Sequence, residues 1–179
     1  MHLTLIKPKI GRRQEGPYID EGRMEPLMLA VLAGMVPPDV EVSLVDDRFE
    51  SIDYSKPTDL VAVTVETYTA KRAYEISAAY QSRGIPVVMG GMHATLIPEE
   101  VAQHADTLFT GDGEGAWSQL LEDFLQGKMK KRYDSSRGMV QPGFQPDRSI
   151  FHGKKYLSVS LLQFSRGCPN YCIYCATGA

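Results

Sequence analysis

Cysteine is scarce in this chain and confined to one place: Cys168, Cys172 and Cys175, with none elsewhere. That distribution excludes a disulfide-stapled scaffold, whose half-cystines are spread along the chain, and it suits a reducing cytoplasm. Long apolar runs are missing too. No stretch approaches the roughly 20 residues that cross a bilayer, and the opening Met1-His-Leu-Thr-Leu-Ile-Lys-Pro8 lacks the apolar core of a secretory leader. There is no excess of positive charge: the formal net charge is −3, which argues against a nucleic-acid module. No G-x-G-x-x-G follows the first apolar run, and no G-x-x-x-x-G-K-[ST] occurs, so the dinucleotide and P-loop fingerprints are both absent. Neither an internal repeat nor a low-complexity tract is present. The apolar content of 43% and charged content of 23% over 179 residues suit one globular domain and a remainder.

The remainder carries the strongest local signal. Phe164-Ser-Arg-Gly-Cys-Pro-Asn-Tyr-Cys-Ile-Tyr-Cys175 places the thiols at C-x3-C-x2-C spacing. Three thiolates on one short loop suit a cubic iron–sulfur cluster, each taking one iron and leaving the fourth open. A zinc site would need a fourth ligand, and His152, the nearest upstream candidate, fits no zinc spacing. A disulfide would leave one odd thiol, and such short gaps suit a redox pair better than a structural staple.

Ahead of that loop, five strand–helix units follow one another. The strands expected are Leu3–Ile6, Glu41–Asp46, Leu60–Val65, Pro86–Met89 and Thr107–Thr110. A long polar loop, Lys7–Glu25, precedes a helix opened by Pro26 and ended near Met35 by Gly34 and Pro37-Pro38. Tyr68–Arg83 reads as a helix with Ala73, Ile76, Ala79 and Tyr80 on one face, and Pro98–His104 as a short one. Trp117, Leu120, Leu121, Phe124 and Leu125 keep the i, i+3, i+4, i+7, i+8 spacing of a fifth. Alternating strands and helices predict an α/β fold, a flavodoxin-like (Rossmann-like) five-stranded parallel sheet in the order 2-1-3-4-5. Periodicity stops after Gly127. The stretch 128–155, with eight Lys and Arg residues, reads as a solvated linker between a domain at 1–127 and a further unit at 156–179. Tyr156–Ser165 is again strand-like.

Ligands of an open parallel sheet sit outside the carboxyl ends of its strands. Three loops there allow close backbone approach: Glu66-Thr67, Gly90-Gly91-Met92-His93 and Gly111-Asp-Gly113-Glu114-Gly115. Each residue also has a plainer role. The glycines serve equally as turn formers, His93 as a cap for the next helix, and Glu114 as a charge favouring a helix N-terminus. Glu66 and Asp46 either line the pocket or form salt bridges at the sheet edge.

The cysteine loop, with Arg166-Gly167 before it and Tyr174 beside the last thiol, resembles the cluster loop of radical S-adenosylmethionine (radical SAM) enzymes. In this order ahead of it, Pro26-Leu-Met-Leu-Ala-Val-Leu, Glu41-Val-Ser-Leu-Val-Asp46, Gly90-Gly-Met-His-Ala and Gly111-Asp-Gly-Glu resemble the cobalamin-binding domain of the cobalamin-dependent (class B) members. The resemblance covers essentially the whole chain. It implies a [4Fe-4S] cluster on Cys168, Cys172 and Cys175, with SAM on the open iron near Tyr174 and cleaved to a 5′-deoxyadenosyl radical. It further implies cobalamin beside Glu66, Thr67, Gly90, Gly91, His93, Gly111, Gly113 and Glu114. The Asp-x-His-x-x-Gly signature after strand one is missing, so no histidine of that loop would bind cobalt. The rest of the family barrel follows the cysteine loop, so the chain is expected to keep only the first barrel strand and that loop, to be inactive alone, and to serve a longer enzyme. That enzyme would carry out radical methylation or rearrangement of a small-molecule substrate, fed by an external electron donor such as flavodoxin or ferredoxin. The competing expectation is a flavodoxin-like docking or substrate-presenting module that no longer binds cobalamin.

Overall fold

The computed structural model describes residues 1–10, 23–135, 144–170 and 172–176. Gly11, Gly16 and Gly22 of the long loop lie outside the described residues.

Six parallel strands form one sheet: β1 (His2–Lys7), β2 (Glu41–Asp46), β3 (Leu60–Thr64), β4 (Val87–Gly90), β5 (Thr107–Thr110) and β6 (Arg132–Asp134). Their order is β2-β1-β3-β4-β5-β6. The expected order is therefore found, extended by a sixth strand within the stretch read as linker. Register is set by the apolar runs: Ile6 stands opposite Val45 and Val63, and Val63 opposite Met89. All five residues of β3 are buried, as its unbroken Leu-Val-Ala-Val-Thr run requires of a central strand covered on both faces.

Side chains alternate between two cores. Leu3, Leu5, Leu60, Ala62, Val88, Phe109 and Tyr133 meet the helices α1 (Leu27–Gly34) and α5 (Trp117–Leu125) on one face. Ile6, Val61, Val63, Val87, Met89 and Leu108 meet α2 (Ala70–Gln81), α3 (Met92–Leu96) and α4 (Pro98–Val101) on the other. This is a doubly wound α/β sandwich, with its switch point between β1 and β3. Trp117, Leu120 and Leu121 hold α5 in place, the two leucines contributing about 2 kcal/mol each by burial. Leu125 departs from the periodic reading: it is 51% exposed at the last turn of the helix. Ala79 likewise is only half-buried, and Ser77 takes the buried place beside Ile76 and Tyr80.

The stretch after α5 departs further from expectation. Besides β6, it supplies a 3-10 turn at Arg148–Phe151 whose Phe151 is buried in the α1/α5 core. The Asp147 amide donates to the Ala30 carbonyl at 2.8 Å, and the Gln145 carbonyl packs where a side chain on Gly34 would stand. Tyr156–Ser165, read as a strand, forms no strand among the described residues; the Leu157 amide donates to the Arg23 carbonyl at 3.0 Å and the Val159 amide turns back to the Leu157 carbonyl at 2.7 Å. No helix of the described residues is long and apolar enough to cross a membrane.

Candidate functional site

The carboxyl ends of β1, β3, β4 and β5 form one edge, and the residues singled out from sequence gather along it. At the switch point Lys7 Nζ donates to Glu66 Oε2 at 2.5 Å, both side chains being largely enclosed, at 9% and 19% exposure. Glu66 then starts a 3-10 turn, Thr67–Thr69, through reciprocal capping with Thr69. Asp46, at the end of β2, is fully buried and accepts from Arg48 Nη2 at 2.7 Å and from the Tyr156 hydroxyl at 2.8 Å. Burial first, and then this bond to Asp46, push the Tyr156 phenol well above its ordinary range. Both carboxylates form ion pairs, Glu66 with Lys7 of β1 and Asp46 with its near neighbour Arg48.

The glycines divide by what surrounds them. Gly90 lies at ordinary contact distance from Phe109. Gly91 takes φ of 106°, and a Cβ there would stand 2.9 Å from the Val65 carbonyl oxygen. Gly111, with φ of 80°, would drive a Cβ into the Ser135 carbonyl oxygen, and one on Gly113 would stand 2.5 Å from Leu32 Cδ2. Gly115 is closed off by the Ser135 side chain. At these positions the absent side chain makes room for protein atoms.

His93 is 4% exposed. Its amide donates to the Val65 carbonyl at 3.0 Å and its Nδ1 lies 3.2 Å from the Thr67 hydroxyl. Its Nε2 stands 3.6 Å from Glu100 Oε1, beyond hydrogen-bond length, and makes no hydrogen bond. The Tyr74 hydroxyl, donating to Glu100 at 2.8 Å, is the first cause holding that carboxyl below its usual range. Apolar side chains, not singled out as site residues from sequence, stand on the same edge. Met28 and Met92 are 49% and 47% exposed and Tyr68 59%, while the Thr64 hydroxyl points at Met28 Sδ at 3.3 Å. Their positions at the starts of α1, α3 and the Thr67–Thr69 turn were the signal available.

The cysteine loop lies beside this edge. Arg166 donates to both oxygens of Glu114, at 3.1 and 2.5 Å, and its Nη1 is 3.3 Å from Asp112 Oδ2. The hydrogen bond to Glu114 is the leading cause that raises the guanidinium above its usual range. Cys168, Cys172 and Cys175 are all exposed, and the Cys175 amide donates to the Cys172 carbonyl at 3.0 Å, closing one turn between those two. Tyr174 is 89% exposed. Among the described residues no three His, Cys, Asp or Glu side chains are gathered to hold a metal ion. The donor set itself, three exposed thiols on one short loop, matches the chemistry of a cluster with one open iron.

No family model matches the chain. It is similar to bacteriochlorophyllide d C-8(2)-methyltransferase of Chlorobaculum tepidum, at 34% identity over 88% of this chain and 38% of that protein. It is similar also to the C-12(1)-methyltransferase of the same organism, at 31% over 97% of this chain and 39% of that one. A third relative is the anaerobic magnesium-protoporphyrin IX monomethyl ester cyclase of Rubrivivax gelatinosus, 27% identical over 73% of this chain and 29% of the cyclase. The chain thus spans well under half the length of these curated relatives, two of which are methyltransferases.

Proposed function

We propose that this chain is the cobalamin-facing α/β domain and the cluster loop of a radical SAM methyltransferase. The observation that carries the reading is the donor set: three exposed thiols at C-x3-C-x2-C spacing in a chain with no other cysteine. Similarity to two methyltransferases supports methyl transfer as the outcome. When bound, the [4Fe-4S] cluster supplies the electron for reductive cleavage of SAM, and cobalamin carries the methyl group.

The chain's own residues have separable tasks. Cys168, Cys172 and Cys175 hold the cluster, and Tyr174 borders the SAM position. Glu66, Thr67, Gly90, Gly91, His93, Gly111, Gly113 and Glu114 border the corrinoid. Within that set the Lys7–Glu66 pair keeps the switch point closed, while Met28, Tyr68 and Met92 offer exposed apolar area suited to a flat macrocycle. The enclosure of His93, with Nδ1 turned to Thr67, supports a corrinoid held without histidine on cobalt. A small-molecule substrate and an external electron donor of the flavodoxin or ferredoxin kind complete the reaction. The substrates named for the relatives make a tetrapyrrole the first class to test.

A docking surface without corrinoid is the second reading. It is favoured by one observation, that Gly91, Gly111 and Gly113 face protein atoms instead of open space. The whole protein, reconstituted anaerobically with iron and sulfide and given reductant and SAM, tests the first reading. Release of 5′-deoxyadenosine, abolished by Cys172→Ala, is expected. Hydroxocobalamin should bind at micromolar levels, about tenfold more weakly after Met92→Glu, because the charge must be desolvated under the ring. SAM cleavage without any corrinoid binding would favour the docking reading.

A further inference from the structure

Between Tyr156 and Ala179 the chain has a single charged side chain, Arg166, and it stands two residues before Cys168. That one charge meets the loop after β5. Its guanidinium grips Glu114 through two nitrogens, with Asp112 alongside, and the Glu114 side chain is only 8% exposed. A fork-to-fork pair of this kind fixes direction as well as distance.

The partner loop is itself a fixed mount. The Gly111 amide donates to the Thr95 hydroxyl at 3.0 Å, and the Ser135 amide donates to the Thr110 carbonyl at 2.9 Å. Ser135 crowds Gly111 and Gly115, and Leu32 of α1 crowds Gly113. Glu114 is therefore carried by a turn wedged among β6, α1 and α3. On the other side Gly167, with φ of 79°, turns the chain directly between Arg166 and the first thiol. The contact joins the sheet edge to the cysteine loop at its root.

We infer that the Arg166–Glu114 pair positions the cysteine loop on the carboxyl edge of the sheet, making both side chains positioning residues for the cluster. The functional sense of this inference rests on the cluster reading above. Cys168 lies two peptide units from the anchored residue, within about 7.6 Å from Cα to Cα, so release of Arg166 frees the thiols relative to the edge. Asp112, at longer range, has the lesser share.

The contact can be tested without touching a cysteine, because Arg166–Gly167 is itself a tryptic bond and trypsin must take the guanidinium that Glu114 holds. Glu114→Gln keeps the size and removes the charge. In the 179-residue chain, cleavage after Arg166 is expected to rise about tenfold in Glu114→Gln and about twofold in Asp112→Asn. Cleavage after Arg83 and Lys128, both exposed and remote, should keep its wild-type rate and so separates a released loop from a loosened fold. Arg166→Lys, still a tryptic site but with one ammonium for the fork, should be intermediate. In the whole protein loaded with iron and sulfide, Glu114→Gln should lose iron to a chelator several-fold faster than wild type. Unchanged cleavage, or unchanged iron loss from loaded protein, overturns the inference and leaves the cluster reading standing. A wild-type protein that takes up no iron removes both.

Discussion

Gly91 turns the chain from β4 into α3 at φ of 106°, with Val65 N 3.0 Å and Thr64 Oγ1 3.1 Å from the place a methyl group would take. Both the backbone conformation and the space exclude a side chain, and the crowding atoms belong to a central strand that cannot retreat. Gly91→Ala is therefore expected to cost about 3 kcal/mol, the sum of a left-handed residue and a forced shift, measured by urea unfolding. A loss below about 0.5 kcal/mol would show that the edge yields freely. Glycine-rich strand ends were legible in the sequence as special positions, but their surroundings were not. The Gly-x-Gly-x-Gly spacing is the same whether a ligand or Ser135 fills the space, because Ser135 arrives from a strand that no periodic pattern announces. His93 was undecided for a similar reason: its burial depends on Thr67 and Glu100, which come from other elements.

Elements with a strong period were readable to within a residue or two: β2 and β5 match the apolar runs Glu41–Asp46 and Thr107–Thr110 at both ends. The failures lie where the pattern is too short to have a period. β6 has three residues, Arg132–Asp134, with only Tyr133 turned inward, and its two charged neighbours face out. In sequence that is a polar linker. The Tyr133 hydroxyl, donating to Asp123 at 2.7 Å, ties it to α5. The Arg148–Phe151 turn is similar, a single buried aromatic in a polar setting, with Phe151 edge-on to Tyr156 at 5.3 Å between ring centres. If this segment belongs to the α/β core, Phe151→Ala should lower stability by about 3 kcal/mol in chemical denaturation. A solvated linker would give a change near zero. The same measurement on Leu125→Ala, exposed at the end of α5, serves as the reference for a surface position.

At the scale of the whole molecule, the parallel sheet with helices on both faces was legible because each strand run is apolar enough to be covered twice. Which side chains would be enclosed by that covering was legible where a helix carried a period, as at Tyr80, and not at the tyrosines outside such helices. Tyr54, Tyr74, Tyr80, Tyr133 and Tyr156 are spread over both faces, and all have hydroxyls held above the ordinary range with burial as the first cause. Tyr80, in the α2 core and 2% exposed, is pushed up to about 12. In the unfolded chain a tyrosine ionises near 10. Below that value both states keep the proton and the full contribution to stability is present. Between about 10 and 12 the unfolded chain sheds a proton that the folded protein retains at Tyr80, so the balance moves toward unfolding as pH rises. The other four act in the same direction. Stability should therefore hold through neutral pH and fall steeply above pH 10, independently of any bound cofactor. Tyr80→Phe removes one of the five, and its unfolding midpoint in urea should fall less between pH 10 and 12 than that of the unaltered chain. Equal slopes for the two proteins in that window would show that Tyr80 ionises in the fold as freely as in water, and that the α2 face admits solvent.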